Sequence, residues 1–155
     1  MANGADRFLA RAAERGLDLD VATFPEGTRT AEDAARAIGC DVAAIVKSLV
    51  FVADDDPVLV LTSGANRVDE QRLASALDAE VVRKATAAEV REATGYAIGG
   101  TPPFGLERAL RVLCDRDLTT LPQVWAAAGM PTQVFGIDPA TLCSVSDAEV
   151  VDVTG

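Results

Sequence analysis

The chain has 155 residues, 49% hydrophobic and 25% charged, which is enough for one domain over residues 1–155 and unlike collagen-like, mucin-like or disordered sequences. Fourteen Lys and Arg against 24 Asp and Glu leave a net charge of −10, so sequence-specific binding to duplex DNA is not expected. There is no long apolar run, and residues 1–8 show no basic-then-apolar leader, so no membrane partner and no secretion are expected, and the chain reads as cytoplasmic.

Residues 6–15 read as a helix, with Phe8, Leu9, Ala12 and Ala13 at helical spacing and Gly16 as its stop. Residues 17–23 read as a strand, with Leu17, Leu19 and Val21 on one face. A turn at 24–27 leads to a second helix, capped by Thr30 and closed by Gly39. Val42, Ile45 and Val46 then face inward, and Lys47 stands at the mouth of an apolar strand at 48–53. The acidic turn at 54–57 sends the chain back as a strand over 58–62, so 47–62 is expected to be a hairpin. After a loop at 63–66 come a helix at 68–77, a short strand at 80–83, and a helix opened by a capping box at Thr86 and Glu89. Residues 95–105 are loop. Strands are expected at 109–114 and 133–137, a short helix or strand at 121–127, a helical turn at 139–143 and a last strand at 150–153. Short strands alternating irregularly with short helices point to an α/β fold with a mixed, largely antiparallel sheet and packed helices.

The charge is uneven. Residues 1–66 hold 6 basic and 11 acidic side chains, residues 67–116 hold 8 and 8, and residues 117–155 hold none and 5. A polyanion is therefore expected to approach the middle third and Lys47. The chain has no histidine, which excludes Ser-His-Asp and Cys-His sites and histidine acid–base catalysis. Cys40, Cys114 and Cys143 form no CxxC, so no metal is expected, and each reads as a small apolar side chain in a reducing compartment.

Few residues are left to carry chemistry. Lys47 is one of only two lysines and is flanked by Ile45, Val46, Leu49 and Val50. An ammonium there either snorkels out of the strand start or binds a phosphate or carboxylate as a compact charge. The other lysine, Lys84, reads as solvent-facing. The loop at 95–105 holds four glycines and two prolines, among them Gly99, Gly100, Pro102 and Pro103. Such a loop is either a tight crossover or a stiff surface of backbone donors and acceptors around a small polar group. It is no Walker loop and no GxGxxG turn, so nucleotide cofactors are not indicated. Asn66, Arg67 and Asp69 follow the hairpin, and Asp69 either accepts from Arg67 or caps the next helix. The single tryptophan, Trp125, reads as core.

Four segments together resemble a known family: 24–35 (FPEGTRTAEDAA), 45–51 (IVKSLVF), 94–105 (TGYAIGGTPPFG) and, more weakly, 129–135 (GMPTQVF). The chain resembles, over about residues 6–153, the YbaK family, related to the editing domain inserted in bacterial prolyl-tRNA synthetases. The resemblance implies a strongly curved mixed sheet with helices around it. It also implies a free-standing aminoacyl-tRNA deacylase, a hydrolase that cleaves the ester of a mischarged tRNA at its acceptor end without a cofactor. Lys47 matches the family's essential lysine, and Gly99 to Pro103 its Gly-x-x-x-Pro loop. The resemblance thus points to Lys47, Gly99 and Gly100 as catalytic and to Thr101, Pro102 and Pro103 as substrate-binding, and Thr30, Asn66 and Thr132 are further candidate substrate-binding residues. In family models the aminoacyl group lies beside the loop and water attacks, helped by the substrate's own ribose hydroxyl. Many relatives carry histidine near 130–132, where this chain offers the Thr132 hydroxyl. The alternative reading is a non-catalytic module that binds tRNA or an aminoacyl-tRNA synthetase. A small-molecule amidase or esterase is a third.

Overall fold

The structure is a computed structural model that describes residues 3–24 and 30–155. Most of the expected turn at 24–27 lies outside the described residues. Helix α1 (Gly4–Glu14) opens on a capping box in which Asn3 and Asp6 exchange backbone-to-side-chain hydrogen bonds. Strand β1 (Val21–Thr23) is shorter than 17–23, because its partner strand meets only those three residues. Helix α2 (Ala31–Ile38) begins where the Thr30 hydroxyl accepts from the Asp33 N–H and ends on left-handed Gly39.

The hairpin is present as β2 (Val46–Ala53) and β3 (Asp56–Ser63), in register from Val46 opposite Ser63 to Ala53 opposite Asp56. Its turn puts Asp54 and Asp55 at positive φ, a conformation that aspartate tolerates better than most residues. Helix α3 (Glu70–Leu77) is capped by Asp69, whose carboxylate accepts from the Gln71 and Arg72 N–H groups. Strand β4 (Val82–Lys84) and helix α4 (Ala87–Thr94), with its Thr86–Glu89 capping box, precede the loop at 95–105. Then come β5 (Arg111–Asp115), β6 (Val124–Ala127), β7 (Gln133–Ile137), α5 (Pro139–Ser146) and β8 (Glu149–Val151). The segment at 121–127 is therefore partly strand. The helical turn at 139–143 extends to Ser146, whose hydroxyl donates to the Leu142 carbonyl.

The α/β class holds, but the single strongly curved sheet does not. The strands form two sheets, a three-stranded antiparallel one in the order β1-β7-β6 and a five-stranded mixed one in the order β4-β2-β3-β5-β8. Neither is closed or strongly curled. Two features keep them apart. Strand β5 joins β3 in parallel, so the larger sheet grows through a crossover and not by continuing the antiparallel run. Between the sheets the backbone pairing among the described residues is a single parallel bridge, Ile45 with Trp125, and not a ladder.

Alternation along β2 and β3 serves two cores. Val46, Val50, Leu59 and Leu61 face one that also holds Phe8, Phe104 and Phe135. Phe51, Val58 and Val60 face a second under Leu73 of α3. Phe8 stacks on Phe104 and Phe135 with centroids 5.0 and 5.1 Å away, which ties α1 to the end of the 95–105 loop. Of the three cysteines only Cys114 is fully buried.

Candidate active site

A cleft of about 310 Å³ opens where the start of β2, the first turn of α2, β6 and the 95–105 loop meet. Its wall includes Thr30, Lys47, Ser48, Gly99, Thr101 and Trp125, with Ile45, Val46 and Val134 supplying apolar surface. Four of the residues singled out in the sequence, Thr30, Lys47, Gly99 and Thr101, are thus brought to one place from three separate segments.

Lys47 is half-buried on β2 opposite Thr62, and its Nζ donates to the Asn66 carbonyl at 2.6 Å. Burial pulls its ammonium below the ordinary lysine value; Glu32 opposes the shift, Lys84 and Arg67 add to it, and Asp115 opposes it. Asn66 does not line the cleft. Its side chain donates to Asp115 at 2.9 Å and to Asp117 at 2.8 Å, which fixes the carbonyl that receives Lys47. Asp115 is buried and also accepts from the Ser63 and Asp117 N–H groups, each at 3.0 Å.

The loop is stiffened from beneath. Arg7 donates to the Gly95 carbonyl at 2.9 Å, and Arg11 and the buried Tyr96 hydroxyl donate to the Gly105 carbonyl at 2.7 and 2.9 Å. A turn closes from the Gly100 N–H to the Ala97 carbonyl at 3.0 Å, and the Thr101 hydroxyl donates to the same carbonyl at 3.2 Å. Ile98 stands 59% exposed at the rim. Gly99 is exposed too, with φ of +86°, which favours glycine. Gly100, Pro102 and Pro103 are buried and outside the cleft wall. A Cβ on Gly100 would come within 3.0 Å of the Met130 backbone and Pro131. Thr132 also lies outside the cleft wall, and its carbonyl accepts from the Phe24 N–H at 2.7 Å.

One polar wall residue, Ser48, was not singled out from the sequence, and a second, Trp125, was read only as core. Ser48 follows Lys47, and its hydroxyl is buried without a partner among the described residues. A serine within an apolar strand was the available signal. Trp125 is half-buried: it packs against the apolar cluster of Ala34, Ala35 and Ile45, to which its backbone is bridged, and also forms part of the wall. Among the described residues no group of three His, Cys, Asp or Glu side chains is placed to hold a metal ion. Among the described residues the wall thus offers one cation, hydroxyls and backbone polar groups over an apolar floor. That set can hold and polarise an ester, with water as the attacking group.

Comparison with known proteins gives the same picture from another side. The profile described as an aminoacyl-tRNA editing domain matches residues 25–144. The proline–tRNA ligase of Lactobacillus helveticus is 33% identical over 129 residues, which are 83% of this chain and 22% of that enzyme. The chain therefore spans about a fifth of the length of such ligases. An uncharacterized protein of Bacillus subtilis, YwhH, is 32% identical over 136 residues, 86% of each chain. Among solved structures, one provisionally described as a trans-editing enzyme for prolyl tRNA synthetase superposes with a TM-score of 0.94 at 41% identity. It covers 100% of this chain and 99% of its own.

Proposed function

The chain belongs to the aminoacyl-tRNA editing domain family, and from that premise we propose that it is a free-standing aminoacyl-tRNA deacylase, one domain over residues 1–155. Its substrate is the ester joining a wrongly attached amino acid to the 3′-terminal adenosine of a tRNA. The observation that carries this reading is the meeting of Lys47, Gly99 and Thr101 around one cleft in a chain without histidine. Lys47 meets a phosphate or ribose oxygen of the acceptor end, and the backbone at Gly99 and Thr101 holds the aminoacyl group. Water attacks the ester carbonyl, and the neighbouring ribose hydroxyl takes the part a protein base would play. A cleft of about 310 Å³ is at the lower end of the ~300–1,000 Å³ of small-molecule sites, which suits a small aminoacyl group such as alanyl, seryl or threonyl. No helix of the described residues is long and apolar enough to cross a membrane, and the substrate places the work in the cytoplasm.

The deciding experiment is ester hydrolysis on a panel of mischarged tRNAs. A charge-assisted contact from Lys47 contributes about 1.5–3 kcal/mol, so Lys47→Ala should lower the rate roughly 10- to 150-fold. Lys47→Arg should restore part of it, because the planar guanidinium has a different reach. No turnover above the alanine variant on any tRNA would refute the enzyme and leave a module that binds tRNA or a synthetase.

A further inference from the structure

We propose that Lys84 and Arg67 continue the charge of Lys47 into a phosphate-binding face that takes the backbone of the tRNA acceptor strand beside the cleft. The inference rests on the tRNA reading above and extends it from the ester to the nucleic acid.

The chain's only two lysines are far apart in sequence, and the larger sheet puts them on one face. Strands β2 and β4 set Phe51 directly opposite Lys84, and opposed residues project to the same side. Alternation along β2 puts Lys47, Leu49 and Phe51 on that side too; Phe51 is covered by Leu73 of α3, and the Lys47–Leu49 end borders the cleft. The two lysines are four residues apart along the strand direction and one strand apart across it, on the order of 14 Å between backbones. Arg67 joins them from the loop after β3, next to the residue whose carbonyl holds the Lys47 ammonium.

Among the described residues some cations are paired and others are not, and the two beside Lys47 are, like Arg91, Arg108 and Arg116, unpaired. Arg83, Arg111 and Arg72 each meet a carboxylate, Glu89, Glu149 and Asp152 respectively. The Lys84 and Arg67 side chains are exposed, and neither makes an ion pair or hydrogen bond among the described residues. Both disfavour the charge on Lys47. Of the acids that act on Lys47, Asp115 is already engaged by Ser63, Asn66 and Asp117, and Glu32 is exposed on α2. Three cations thus act on one another in a protein of net charge −10, and an arriving anion lowers their mutual repulsion beyond what Glu32 and Asp115 already offset. A nucleic-acid strand carries about one charge per 3.4 Å of axis, so it presents a row of phosphates to such a face.

The test is a titration of uncharged tRNA against the full chain over a series of salt concentrations. It compares the parent protein with Lys84→Gln, Arg67→Gln and, as a control, Arg91→Gln. Arg91 is an exposed arginine of α4 that does not act on Lys47. Each of the first two variants should weaken binding and flatten the slope of log K against log salt by about 0.7–0.9, the loss of one phosphate contact. The control should leave the slope unchanged. No binding by the parent, an unchanged slope in both variants, or an equal change in Arg91→Gln overturns the proposal. Because the probe carries no ester, the result is independent of hydrolysis. A protein that shows these slopes but deacylates nothing refutes the enzyme reading alone, and a deacylase whose slopes do not move refutes this face alone.

Discussion

Lys47 is held less firmly as a cation in the folded chain than in the unfolded one, because burial outweighs the pull of Glu32 and Asp115. Between its lowered value and the ordinary 10.5 the unfolded chain binds more protons, so this group makes stability rise with pH in that window. Activity that needs the ammonium moves the opposite way. The kcat/KM of the parent should fall on the alkaline side below pH 10.5, and Lys47→Arg should move that limb upward because its guanidinium stays charged. A limb at the same pH in both proteins would show that Lys47 ionisation does not set it. Beside it, the buried Ser48 hydroxyl has no partner to give up among the described residues, and one rotation about χ1 can offer it to a ligand in the cleft. Ser48→Ala should lower kcat/KM for seryl and threonyl esters against alanyl by roughly 2- to 13-fold, the worth of a neutral hydrogen bond of about 0.5–1.5 kcal/mol. The same change should leave Tm level or raise it, since it removes an unsatisfied buried group. An unchanged ratio among the three esters would end this role for Ser48.

At the scale of elements, the caps and turns were legible because they depend on neighbours in sequence. Thr30, Thr86 and Gly39 act where their spacing places them, and the β2–β3 hairpin has the boundaries its acidic turn dictates to within two residues. The loop at 95–105 was legible as stiff, but not which side of it faces the cleft. Gly99 faces solvent at positive φ, whereas Gly100 packs on the turn around Met130, a contact set by chain thirty residues away. Gly100→Ala should therefore cost about 1–3 kcal/mol of stability through overpacking, read as a lower urea midpoint at constant m. A midpoint equal to the parent's would mean that the two segments part freely. Thr132 failed to reach the cleft wall for a similar reason: its backbone is tied to Phe24 across the β1–β7 pair.

At the scale of the whole molecule, the α/β class was readable from alternating short elements, but the division into two sheets was not. It depends on pairings such as Val21 with Phe135 and Leu59 with Val112, which join distant parts of the chain and leave no local signal. The cleft lies at the bridge between the sheets, Ile45 with Trp125. That position has an optical consequence. The chain holds one indole, so its ultraviolet emission above the tyrosine band comes from the cleft wall alone. A non-hydrolysable amide of aminoacyl-adenosine should shift or quench that emission along a saturating curve, while the single tyrosine, Tyr96, stays buried at the base of the loop it belongs to. Flat emission over a range where calorimetry records binding would place the ligand elsewhere. A saturating shift would make the unlabelled protein its own fluorescent sensor of occupancy, usable on any substrate in the panel.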